Sequence, residues 1–341
     1  MNDIARPRTP HHCHQAARPL PSRRSALFRV GAAALGGAAI AGTAACEVPL
    51  GDSEPDPLPT MTGDEASREA LARRAALIGS TARAIADSQG GPGNSGAQAT
   101  VIAQEADAQL TALGGVWEPW PTGAPTGYPT ATPVETAAAT STSEDLIAAL
   151  NDGAASARSA LETAQEEGFA RLAASLHIAW SLRQEALSPG SVTAPARSAS
   201  TMASPLPDPA LALYDQLRYT GELLAAQSPS DSTVRARGLD DATAATAVVN
   251  ASIAAGGPAT ARATDPRQPA YGAPTGTDSA DAPSGQWMGA LWRSIMVEEM
   301  SIAVAGSGEQ RLVAADASVA AALRASSWGV ETAEALPGTS G

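Results

Sequence analysis

The sequence predicts an all-α protein, a helical bundle or bundles of about eight helices joined by long proline-rich crossover loops. Three observations predict the helices. Of the 341 residues, 44% are apolar, and alanine dominates that share while aromatics make up only 4%. Alanine has the best helix propensity, whereas β-branched and aromatic residues build strands. Apolar residues also recur at helical spacing from Asp64 onward, and the segments that carry them are separated by Pro, Gly, Ser and Thr.

Taken in order, a first helix over 64–88 places Leu71, Ile78 and Ile85 seven apart, and a second over 95–114 places Ile102, Ala106, Leu110 and Leu113 on one stripe. Gly90-Gly91-Pro92-Gly93 turns one into the other. Residues 117–142 carry five prolines among threonines, hold neither helix nor core strand, and read as a long crossover. The third helix, 143–167, has the cleanest seam: Ile147, Leu150, Ala154, Ala157, Leu161 and Ala164 alternate in steps of three and four. A fourth follows Gly168 and runs to Leu187, turning Phe169, Leu172, Leu176 and Ala179 inward.

Residues 188–207 read as a linker between an N-terminal four-helix region, 62–187, and a C-terminal helical region, 208–341. Helices are predicted there over 208–227 (Leu213, Leu217, Leu224), 231–255 (Leu239, Ala242, Thr246, Val249, Ile253), 285–305 and 308–328. Asp208-Pro209 is a start signal, since proline suits the first helical turn. Spacing leaves open whether the two sets of four make two bundles or one fused body.

The first 45 residues have a different character. A basic region leads to Ser22-Arg23-Arg24-Ser25-Ala26-Leu27-Phe28 and then to an Ala/Gly-rich apolar stretch over 30–45, the order of a twin-arginine export signal. That stretch is shorter and less hydrophobic than the ~20 residues of a spanning helix. Thr43-Ala44-Ala45-Cys46 resembles a lipobox, which makes Cys46 the expected lipid attachment and the extracytoplasmic face of the cell membrane the expected location. Ordinary cleavage after Ala45, giving a secreted protein, is the rival. Residues 46–61, with Pro49, Pro55, Pro57 and Pro59, read as an extended tether. His11-His12-Cys13-His14 falls in the segment expected to be removed and is read as part of its basic region.

Six of the 22 basic residues and one of the 35 acids precede Cys46, so the chain from Cys46 onward carries a formal charge of −18, and it contains no lysine. Such a surface repels phosphate backbones and sets nucleic acid aside as a partner. No pair of thiols remains beyond Cys46 for a disulfide.

Leu291-Trp292-Arg293-Ser294-Ile295-Met296-Val297-Glu298-Glu299-Met300, continuing to Gly306, is similar to the first helix of a ferritin-like domain of unknown function of exported actinobacterial proteins. Residues 311–328, followed by Ala335-Leu336-Pro337-Gly338, look like its second helix and Leu-Pro end. Glu298 matches that family's glutamate, and Glu299 stands where the family has histidine. A ferritin-like di-iron centre also needs Glu-x-x-His motifs. His177 is the one histidine beyond Cys46, and Ala174 precedes it by three.

No cofactor and no metal are therefore expected, and no catalytic residue is assigned. Glu298, Glu299 and His177 are the candidates for a polar core site. Glu298 lies on the stripe of Leu291, Ile295 and Ile302 and should be at least partly buried; without lysine, any cation that pairs with it must be arginine. Of Glu105, Asp107, Glu166, Glu167, Glu185, Glu298 and Glu299, most read as solvated helix faces, with a carboxylate site for calcium, magnesium or manganese built from them as the rival. His177 reads as the margin of a helix contact beside Trp180. The six tryptophans read as core or loop anchors, with a ligand pocket as the rival. The functional expectation is a lipid-anchored binding or scaffold module for an envelope protein or an apolar ligand. A divergent ferritin-like metal-binding protein or oxidoreductase using carboxylates and His177 is the alternative.

Overall fold

In the computed structural model, described for residues 57–88, 94–120, 122–124, 126–256, 265–277 and 283–339, the chain is all-helical, with no strand among the described residues. Its helices are α1 (Gly63–Ser88), α2 (Asn94–Leu113), α3 (Ser143–Thr163), α4 (Glu167–Leu187), α5 (Asp208–Gln227), α6 (Thr233–Gly256), α7 (Gly285–Ala305) and α8 (Gly308–Ser327), with a 3-10 turn at Ala199–Thr201. Arg23, Arg24, Cys46 and the His11–His14 cluster lie outside the described residues. No helix among those described is long and apolar enough to cross a membrane.

The ends of α3 show why the helices stop where they do. Thr142 is its N-cap: the hydroxyl accepts the Asp145 N–H while the Asp145 carboxylate accepts the Thr142 N–H at 2.8 Å, a reciprocal capping box. The C-terminus comes at Thr163, short of the predicted 167. Arg311 Nη1 donates to Leu161 O and Ala164 O, both at 2.9 Å, and the Asp64 carboxylate accepts the N–H groups of Gln165 and Glu166. The terminal carbonyls and the next amides thus find partners outside the helix, so the chain turns there.

Helices of one set pack pairwise: α1 on α2 and α3, α3 on α4, and α2 on α4. The second set repeats this with α5 on α6 and α7, and α7 on α8. The sets share a wall, since α4 packs on α7 and α8, and α3 reaches α8. One hydrophobic cluster takes residues from all eight helices. Helix α4 lies deepest, with every residue from Ala173 to Leu182 buried.

Small residues set the spacing. A Cβ on Gly221 would come within 2.6 Å of Gly238 O, so α5 and α6 touch backbone to backbone, and a Cβ on Gly153 would meet the Trp180 ring at 2.9 Å. This contact corrects the predicted α6 stripe. Gly238, Asp241, Ala242, Ala245, Val248, Val249 and Ser252 face inward, while Leu239 and Ile253 are more than 40% exposed. In α3 the stripe starts at buried Leu146, with Ile147 only half-buried.

The long loops lie along the first helix of each set. Trp117 N–H donates to Glu69 at 2.7 Å, Arg73 donates to the carbonyls of Thr132 and Pro133, and Ala137 N–H donates to Ser80 Oγ, all three contacts on α1. In the α6–α7 loop, Tyr271 OH donates to Asp215 on α5 at 2.8 Å and Gln216 Nε2 donates to Gly272 O.

Candidate functional site: a polar cluster in the second set of helices

Helix α7 is covered by α8, α5 and α4, which buries a broad arc of its surface: Ile295, Met296, Glu299, Met300 and Ala303. Glu298 borders this arc, half-buried, and makes no hydrogen bond or ion pair among the described residues. The fully enclosed carboxylate is its neighbour Glu299, at 0% exposure.

Glu299 is closed by Arg197, which enters from residues 188–207. The Arg197 guanidinium, itself 2% exposed, forms a two-pronged bond to both carboxylate oxygens, Nε to Oε1 at 2.6 Å and Nη2 to Oε2, and Tyr214 OH on α5 donates to Oε1 at 2.8 Å. Burial alone would lower the Arg197 pKa, but the bonds to Glu299 outweigh it and the value is raised. Burial and the Glu299 carboxylate push the Tyr214 phenol well above its ordinary value. Arg197 therefore stays charged and Tyr214 neutral across physiological pH, and the segment over 188–207 is fastened to the core by the Arg197–Glu299 pair and by Leu206 N–H donating to Ser252 Oγ.

A second buried acid stands nearby on α6. Asp241, 1% exposed, accepts the indole N–H groups of Trp292 at 3.0 Å and Trp328 at 2.7 Å, and Arg324 Nη1 at 3.1 Å. Between the two clusters lies a cavity of about 40 Å³ whose wall includes Arg197, Tyr214, Asp241, Trp292 and Arg324, the rest being mainly alanine. That is room for roughly one to three water molecules.

His177 stands elsewhere, where α4 meets α3 and α8. Its Nδ1 lies 3.1 Å from Ala154 O, and its Nε2 lies 3.7 Å from Asp316 Oδ1, beyond hydrogen-bond length. Asp316 is held instead by Arg158, through Nε at 2.7 Å and Nη2 at 2.8 Å. Burial would raise the Asp316 pKa; the Arg158 fork overrules this and, with His177 nearby, lowers it to about 2. Glu299 and His177 thus serve different partners.

The other acids are dispersed. Glu105 pairs with Arg183, Asp107 with Arg83 and Glu167 with Arg171, while Glu185 accepts the N–H groups of Gly190 and Val192 and Glu166 is exposed. Among the described residues no group of three or more His, Cys, Asp or Glu side chains could hold a metal ion. Of the tryptophans, Trp180 donates to Gln109 at 2.8 Å inside the first set, Trp120 donates to Pro129 O within its loop, and Trp287 is buried.

Sequence reasoning singled out Glu299 but missed Arg197, Tyr214 and Asp241. Asp241 had a partial signal, the Asp240-Asp241 pair inside an Ala/Val/Thr-rich helix, which does not say which of the two acids is buried. Comparison of the chain with protein families, with curated proteins and with solved structures finds no match.

Proposed function

We propose that this chain is a membrane-anchored extracytoplasmic lipoprotein, attached through Cys46, whose ferritin-like helical body is a binding or scaffold module for an envelope partner. The observation that carries the non-catalytic reading is the closure of the deep carboxylates. Both oxygens of Glu299 are taken by Arg197 and Tyr214, and Asp241 receives two indoles and Arg324. A metal or a substrate would have to displace an arginine already bound in two-pronged geometry, leaving that cation buried and unpaired. Such clusters fix the packing of α5 to α8 and leave recognition to the outside of the molecule. The paired Arg23-Arg24, the apolar stretch and Cys46 support export and anchoring.

Fractionation tests the anchor. Arg23→Lys with Arg24→Lys should hold precursor in the cytoplasm, and Cys46→Ala should move the protein from the membrane to the soluble fraction. A Cys46→Ala protein that stays on the membrane refutes the lipid attachment. Elemental analysis of the purified protein tests the non-catalytic part: stoichiometric iron or manganese would replace it with the metal-binding or oxidoreductase reading.

A further inference from the structure

The loop joining α2 to α3 builds a second feature, far in sequence from the polar cluster. Two adjoining hollows, about 450 and 250 Å³, lie between this loop and α1, the larger also walled by Leu58, Pro59 and Met61 just before α1, and share Arg73, Trp117, Thr130, Ala131 and Thr132 as wall. Together they form an open trough of the size of small-ligand sites. The trough is pre-formed, because the loop is fastened to α1 on both sides of it: Trp117 N–H to Glu69, and Arg73 to Thr132 O and Pro133 O at 3.0 and 3.2 Å.

Its aromatic side chains are held but not used up. Trp120, in the wall of the smaller hollow, is oriented by its bond to Pro129 O and by an edge-on contact with Tyr128, which lies outside both hollows, ring centres 5.5 Å apart. Trp117 lines both hollows, is half-buried, and its indole N–H has no partner among the described residues. Glu118 beside it is exposed and likewise without a partner. Charge narrows what fits. Glu69 and Arg73 neutralise one another at 2.7 Å, so Glu118 is the free charge of the trough. The chain's −18 beyond Cys46 repels polyanions, and the free indole N–H of Trp117 calls for an acceptor that a simple cation does not carry. What remains is a neutral ligand with an apolar face for an indole and a hydroxylated edge for a carboxylate, an indole N–H and threonine hydroxyls.

We propose that the trough between α1 and the α2–α3 loop binds a neutral carbohydrate chain, with Trp117 beneath a sugar ring and Glu118 accepting its hydroxyls. This rests on the reading of the chain as a binding module and names its ligand class; it does not depend on the lipid anchor, which Cys46→Ala fractionation reads separately.

Calorimetry and tryptophan fluorescence on the full chain in detergent provide the test, with chitotetraose, cellotetraose, maltohexaose, mannotetraose and an arabinan oligomer as probes. A heparin oligosaccharide and octaproline serve as the anionic and peptide rivals. At least one neutral oligosaccharide should bind with Kd below about 10 mM, and Trp117→Ala should weaken it about tenfold or more. Glu118→Gln should weaken it severalfold. Because truncating Trp117 can loosen the loop, Trp117→Phe provides the control: it keeps the ring, should keep the thermal midpoint, and should retain most of the binding. The proposal is overturned by no neutral sugar binding up to about 10 mM, by sugar binding that Trp117→Ala leaves unchanged, or by binding of heparin or octaproline alone.

Discussion

The two sets of four helices share a plan and differ in what they bury. Each begins with a helical hairpin, α1–α2 or α5–α6, sends a long loop back along its first helix, and closes with a second hairpin. Each also ends with an arginine on its fourth helix clasping an acid on its second, Arg183 to Glu105 and Arg324 to Asp241. Inside, the first set buries no aspartate, glutamate or arginine, its buried polar side chains being Thr81, Gln109, Ser175, His177, Ser181 and Gln184, whereas the second set and the segment before it enclose Arg197, Asp215, Asp241 and Glu299 together with Tyr214. A shared arrangement therefore does not require buried charge. The second set carries it because residues 188–207, which have no counterpart before α1 among the described residues, supply the one cation that makes Glu299 tolerable at that depth.

The sharpest way to break this comparison is to remove one partner of the buried pair. Glu299→Ala should destabilise the protein by about 3–5 kcal/mol, since it strands a buried guanidinium. Arg197→Met with Glu299→Leu should recover most of that loss, because an apolar pair of similar volume has no charge to leave unpaired. Urea midpoints of the three proteins measure it. A double variant as unstable as the single one would mean that the charges themselves hold the 188–207 segment in place.

The first set should respond to lost packing instead. Leu161, 0% exposed in α3, should cost about 2–5 kcal/mol when changed to Ala, while exposed Ser159→Ala stays within ~0.5. Equal midpoints for these two variants would refute the register of α3.

How much of this was legible follows the same division. Helix positions were, because each α-helix has its own periodicity and its flanking Pro, Gly, Ser or Thr. Registers were legible where large aliphatics carry the contact, as at Leu71, Ile78 and Ile85 in α1. They failed in α6, where the stripe drawn through Leu239 and Ile253 points outward, because close packing there runs through Gly238 against Gly221 and residue size no longer marks the buried face. The buried pair was half legible. Helical geometry placed an acid of α7 near the core, but α7 buries a wider arc than one stripe, so the enclosed acid is Glu299. Arg197 lies 102 residues away in an extended segment that shows no periodicity. Composition gave the one hint, since a chain without lysine must close its buried acids with arginine or neutral donors.

Between the two sets, the Arg158–Asp316 pair joins α3 to α8 and should give a pH signature of its own. The Asp316 pKa falls from 3.8 to about 2 on folding. Because the folded value is the lower one, the contribution is full above the unfolded pKa and is lost as pH falls through about 2. The advantage of wild type over Asp316→Asn should therefore shrink between pH 4 and pH 2, by an amount on the order of 1 kcal/mol given the partly exposed pair. Thermal midpoints across that interval measure it. A pH-independent difference would show that Asp316 matters by packing alone.

The smallest effect is expected from the acid next to the largest one. Glu298 and Glu299 are adjacent and chemically identical, but successive residues of a helix point about 100° apart. Glu299 therefore faces Arg197 and Tyr214, whereas Glu298 stays at the edge of the buried arc, in contact with water and without an ionic partner among the described residues. Water already solvates its charge, so removing that charge forfeits little. Glu298→Gln should change the stability read from urea midpoints by no more than ~0.5 kcal/mol at neutral pH. Glu299→Gln, which keeps the shape but leaves Arg197 without its counter-charge, should be far more costly at neutral pH. The ratio of the two effects is what carries information, because both variants alter the same helix by the same atoms. Comparable losses at both positions would place Glu298 inside the core as well and would require α7 to turn by a fraction of a residue towards the register drawn through Leu291, Ile295 and Ile302.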